Sequence, residues 1–161
     1  YTPLKTRSPL NTIVGAIPGA IPPLIGWSAA RGFLPIESFI IFTILFLWQI
    51  PHALAIAIMY KEEFIAAGIK LLPMNDPKGR NTCRHIITYC MTLILVGMMP
   101  KFVGMAGNVY FFSSITLGVV YLSFGIVLYR NYSISSARKL FYASLFYLPL
   151  LLLTMVLNQV N

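Results

Sequence analysis

The sequence predicts an all-α fold, a polytopic transmembrane helix bundle of about five spans. Three observations carry that expectation. Of the 161 residues, 58% are hydrophobic and only 10% charged, too apolar a mixture to cover a water-exposed surface but an ordinary one for a chain in lipid. The apolar residues fall into five runs, each too long for a strand and none alternating with period two. The basic residues gather on one side if those runs cross a membrane alternately.

The runs follow in order. The first covers residues 12–30, with Asn11 placed to cap its start. Gly15, Gly19 and Gly26 leave room for close helix contact. Pro18, Pro22 and Pro23 must bend or break it, since each removes a backbone donor and crowds the preceding turn. Lipid tolerates such a break where protein re-satisfies the backbone, so the expectation is a helix inside the bundle lining a cavity, or simply a kinked packing helix. The second run covers 36–59, the third 85–99, the fourth 108–129 and the fifth 140–160. The third is short for a span unless it starts nearer Thr82. Internal repeats and low-complexity segments are absent.

The formal charge of +8 raises nucleic acid as a partner, but Lys and Arg lie between apolar runs and not along one polar face. Ten of the twelve basic residues fall in the N-terminal segment, the 61–84 loop and the 130–139 loop. Only Arg31 and Lys101 fall on the opposite side. By the positive-inside rule the three basic segments face the cytoplasm or matrix and the C-terminus faces outward. The sequence opens without a methionine in a basic segment, and a piece of a longer chain is expected. Cys83 and Cys90 are seven apart on one helix face and have no metal-type spacing.

Chemistry concentrates around the stretch from Trp48 to Pro73. An apolar run there contains Pro51 and His52 and leads into Lys61, Glu62 and Glu63. If the helix continues, His52 and Glu63 lie on nearly the same face about 16 Å apart, with Trp48 one turn above His52. Ionisable groups are costly in lipid, so His52 is either a ligand or orienting group in a cavity, or a packing residue bonded to a neighbouring helix. His85, beside Arg84, reads as interfacial. Glu62 and Glu63 can bind Mg²⁺, which prefers oxygen ligands and bridges to diphosphates. Lys61, Lys70, Lys78 and Arg80 can stabilise a leaving diphosphate. The alternative is a solvated loop of mixed charge. Asp76, in Asn75-Asp76-Pro77, reads as a turn residue.

Several segments are similar to one family. YTPLKTRSPLNTIVGAIPGAIPPLIGW, LFLWQIPHALAIA, YKEEFIAAGIKLLP and SSARKLFYASLFYLPLLLL resemble heme O synthases, a branch of the UbiA-type membrane prenyltransferases. The resemblance covers essentially the whole chain. It implies a nine-helix all-α fold with a central cavity, of which residues 1–161 would be the C-terminal part of a single domain. It implies transfer of a farnesyl group from farnesyl diphosphate to a vinyl group of heme b. The diphosphate would be held through Mg²⁺ by two acidic motifs, the second matching residues 60–68. Glu63 stands where aspartate is usual, and its extra methylene alters the metal geometry. On this resemblance Glu63, Glu62 and Lys61 are the candidate catalytic residues, with Glu63 and Glu62 toward the metal. His52, Trp48, Asn11, Lys5, Arg7 and Lys70 are the candidate substrate-binding residues. Implied partners are the bilayer, the two substrates, and heme A synthase or oxidase assembly factors. The membrane would be the bacterial cytoplasmic or mitochondrial inner one. Two other classes stay open: a UbiA-type enzyme acting on a quinone precursor, and a transporter component with kinked helices and a midplane histidine. An aspartate-rich motif upstream would favour prenyl transfer over the transporter.

Overall fold

A computed structural model describes residues 11–69 and 71–160, with the side chains of residues 11–13 outside the description. The helices are α1 (Asn11–Ala20), α2 (Pro22–Arg31), α3 (Ile36–Met59), α4 (Lys61–Ala66), α5 (Arg80–Gly97), α6 (Met99–Phe102), α7 (Asn108–Arg130) and α8 (Ile134–Leu157). A 3₁₀ turn, Leu72–Asn75, follows α4. The described residues hold no strand, only an isolated bridge between Ala106 and Gln159.

Four segments are long and apolar enough to cross a membrane: α3, α5 with α6, α7 and α8. They close into a ring in which α3 packs on α5 and α8, and α7 on α5 and α8. The first run forms a broken pair, as its prolines require. Pro22 and Pro23 have no N–H to offer the carbonyls four residues earlier, and the Pro18 carbonyl takes a tighter bond from the Ile21 amide at 3.4 Å. Ile21 keeps right-handed helical angles (φ −67°, ψ −33°), so the break is a kink and not a reversal. Each half is about 15 Å long, so only the two together match a hydrocarbon core of about 30 Å. The pair packs along α3, and within the described residues α2 buries no side chain. α1 does bury Ala16 and Ala20 in this contact. Gly19 meets Gln49 of α3, whereas Gly26 has open space around it.

Helix starts account for the other differences. α5 begins at Arg80 because the buried Asp76 carboxylate accepts from the Thr82 amide (2.8 Å) and hydroxyl (3.0 Å), capping the first turn. Extended by α6, this span reaches Phe102, longer than the 85–99 run. α8 begins at Ile134, six residues before the apolar run, because the Ser133 hydroxyl accepts from the Ser136 amide at 3.2 Å. Arg138 and Lys139, expected in a loop, are consequently helical.

Small residues set the α5–α7 distance. A Cβ on Gly118 would come within 2.6 Å of Ile94, and one on Gly125 within 3.3 Å of Ile86. At one end, Asn158 ties the end of α8 to the start of α7: its carbonyl accepts from the Gly107 amide and its side chain from the Tyr110 amide. At the other end, Tyr132 of the α7–α8 connection lies on Gly79, where a φ of +67° and the absence of a side chain are both required. The two basic connections thus meet at the same end of the bundle, as alternating spans require.

Candidate functional site

The site has two parts joined by one helix seam. Trp48 and His52 lie one turn apart on α3, and His52 reaches across to α8. The imidazole sits between Trp48 and Phe141, with ring centroids 5.0 Å from each and interplanar angles of 22° and 29°. Ser144, one turn beyond Phe141, holds both α3 residues. Its carbonyl accepts from the Trp48 indole N–H at 2.9 Å, and its hydroxyl lies 2.7 Å from His52 Nδ1. Ser144 is fully buried, while His52 and Trp48 are half-buried. Two aromatic side chains around one half-buried imidazole are a grouping suited to a flat, apolar, metal-bearing or cationic group.

The second part lies at the basic end. A cleft of about 420 Å³ has Lys61, Glu62 and Glu63 on one wall and Tyr132, Ser133 and Ile134 on the other, with Ile58 and Met59 at its base. Both glutamates are exposed, in the first turn of α4. Burial pushes the Tyr132 phenol up to about 12, with the nearby Cys83 and Asp76 adding to the shift. Its buried oxygen has no hydrogen-bond partner among the described residues.

The expected stripe of Trp48, His52 and Glu63 along one continuous helix is corrected. Tyr60 leaves helical geometry (φ −112°, ψ 34°), so α3 stops at Met59 and α4 is a separate helix. The bulky exposed Tyr60 and the charged residues after it leave the apolar pattern that held α3 to its neighbours. The facing of Glu63 relative to His52, and their 16 Å spacing, therefore do not follow from helix periodicity. What replaces the stripe is the α3–α8 pair. Seven residues of α3 lead from Met59 in the cleft to His52, and seven of α8 lead from Ile134 in the cleft to Phe141, about 10 Å in each case.

Of the remaining candidates, Lys5, Arg7 and Lys70 lie outside the described residues, and Asn11 opens α1 with its side chain outside them. Lys78 and Arg80 are exposed, and His85 is exposed on α5 as an interfacial histidine would be. Cys83 and Cys90 are buried free thiols on one face. Among the described residues no three His, Cys, Asp or Glu side chains converge as a metal site. Mg²⁺ is commonly held by one or two carboxylates plus substrate phosphates. The Glu62–Glu63 pair therefore suits one arm of a site completed by a diphosphate, and not a closed cage. Sequence reasoning missed Phe141, Ser144 and Tyr132. Their places depend on pairings across the bundle, and only the spacing of Phe141 and Ser144 along α8 hinted at a shared face.

Residues 1–151 match the UbiA prenyltransferase family. The chain is 45% identical over 159 residues to a protein named protoheme IX farnesyltransferase from Solibacter usitatus (strain Ellin6076), an alignment covering 99% of this chain and 54% of that one. A protoheme IX farnesyltransferase of Cytophaga hutchinsonii is 39% identical over 99% of this chain and 56% of its own. The mitochondrial protoheme IX farnesyltransferase of Arabidopsis thaliana is 36% identical over 100% of this chain and 37% of its own. The chain thus spans about half the length of the bacterial relatives it matches. No solved structure matches it.

Proposed function

The chain belongs to the UbiA prenyltransferase family, and from that premise we propose that the full-length protein transfers a farnesyl group from farnesyl diphosphate to a vinyl group of heme b, giving heme O. The observation that carries the proposal is the α3–α8 seam. It joins a cleft of mixed charge at the basic end to an aromatic histidine site about 10 Å deeper. A charged diphosphate suits the first part and a flat apolar macrocycle the second. The relatives, named as protoheme IX farnesyltransferases, agree with this pairing.

In this mechanism Glu62 and Glu63 would hold Mg²⁺, which when bound supplies positive charge to a departing diphosphate. Lys61, on the same wall, adds a cation toward the leaving group. His52 would hold and orient the heme, and Trp48 and Phe141 fix the imidazole plane by stacking on it. The apolar surroundings would shield a cation-like prenyl C1 until the vinyl group attacks it, and water would then add to the cation left beside the macrocycle and lose a proton, giving the hydroxyethylfarnesyl substituent. The other acidic arm and the remaining substrate contacts belong to parts of the protein beyond these residues. The bacterial cytoplasmic membrane is the proposed location, with heme A synthase or oxidase assembly factors as downstream partners.

Two substitutions in the full-length enzyme test the division of labour. Glu63→Gln is expected to lower Mg²⁺-dependent farnesyl diphosphate use on the order of 100-fold while sparing heme binding. His52→Ala is expected to abolish heme O formation with the protein still folded in the membrane. Near-normal activity in His52→Asn, at unchanged protein level, would reduce His52 to a packing residue and leave the carboxylate cleft as the functional part.

A further inference from the structure

Ser144 carries one proton and makes two close contacts with it. Its hydroxyl lies 2.6 Å from the Phe141 carbonyl and 2.7 Å from His52 Nδ1. A carbonyl oxygen has no proton to give, so at 2.6 Å the shared proton must come from Ser144. The serine oxygen is then left only lone pairs to offer His52, and Nδ1 must be the donor.

We infer that Ser144 is a positioning residue that fixes His52 as the Nδ1–H tautomer and leaves the lone pair on Nε2. Three features hold the arrangement. Ser144 is fully buried, so water does not compete for its hydroxyl. Trp48 and Phe141 each stack on the imidazole, with centroids 5.0 Å away, and restrict its rotation. The Trp48 indole N–H is anchored on the carbonyl of the same Ser144, so one residue of α8 sets both α3 side chains. An Nε2 lone pair fixed in direction is the form of histidine that ligates a metal. For an iron porphyrin it offers an axial nitrogen, and this part of the inference rests on the heme reading of His52.

The test uses the full-length protein in detergent, labelled with ¹⁵N at histidine, with His52→Asn identifying the His52 signals. The expected spectrum shows a protonated Nδ1 and an unprotonated Nε2. Ser144→Ala should lose that preference and weaken binding of ferric heme by roughly 10- to 100-fold. Ser144→Thr should restore both, because it keeps the hydroxyl. The Trp48 anchor is a backbone carbonyl and survives all of these changes, so a general loss of packing would not give this pattern. A protonated Nε2 in the unsubstituted protein, or an unchanged Nδ1–H in Ser144→Ala, would overturn the inference. If the Nδ1–H tautomer depends on Ser144 but His52→Asn binds ferric heme as well as the unsubstituted protein does, the tautomer assignment is upheld and the heme reading fails instead.

Discussion

Single residues decide what the site can do, and the decisive ones differ in how visible they are in the sequence. Trp48 and His52 are legible because positions four apart on a helix share a face. Phe141 and Ser144 are not, since Ser144 meets His52 across 92 positions of sequence and looks like one more small residue in an apolar run. Asp76 was legible as a turn residue, and the structure adds the Thr82 bonds that make it a helix cap. Tyr132 gave no signal, because its role comes from lying on Gly79 beside the charged cleft. Its buried hydroxyl, unpartnered among the described residues, makes Tyr132→Phe the informative change. Removing an unsatisfied donor is expected to stabilise the protein by about 1 kcal/mol at neutral pH. The phenol is raised in the folded state from 10.0 to about 12. Its contribution from holding the proton is therefore full below the unfolded value near 10 and is lost as pH climbs toward about 12. Thermal unfolding of the full-length protein across that range should show the unsubstituted form falling further behind Tyr132→Phe as pH rises. Parallel curves would mean the hydroxyl has found water or a partner.

At the scale of elements, the spans were predictable and their ends were not. Runs of apolar residues place α3, α7 and α8 because lipid rewards any long hydrophobic segment. Ends depend on local bonds: the Ser133 hydroxyl starts α8 before the apolar run begins, and the Tyr60 backbone separates α3 from α4. The prolines near Ile21 declared a break, but its outcome, a kinked pair lying along α3, depended on packing. The α5–α7 contact makes a sharp prediction. Gly118→Val would drive side-chain atoms into Ile94, which already lies 2.6 Å from an added Cβ. Overpacking of that kind typically costs about 1–3 kcal/mol. Gly97→Ala, whose added Cβ would make only ordinary contact with Tyr147 at 3.6 Å, is expected to be nearly neutral. Equal effects in a thermal-stability assay would contradict the close α5–α7 approach.

For the whole molecule, charge and topology agree. The 61–84 segment and the α7–α8 connection meet at one end of the bundle, while Lys101 and the end of α8 lie at the other. Three spans separate Lys78 from Asn161, so reporter fusions after these two residues should give opposite signals, with Lys78 on the cytoplasmic or matrix side. Matching signals would rule out the alternation on which the single basic face depends.

The central claim is that this bundle forms part of an enzyme that farnesylates heme, and pigment analysis tests it most directly. The full-length protein should be produced in membranes supplied with heme b, and the hemes extracted and separated by chromatography. The account predicts a new, more hydrophobic heme with the mass of a hydroxyethylfarnesyl derivative, abolished in His52→Ala and strongly reduced in Glu63→Gln. Unmodified heme b alone, with the protein present at normal level and folded, would contradict it, and a prenylated quinone precursor in its place would assign the same fold to a different acceptor.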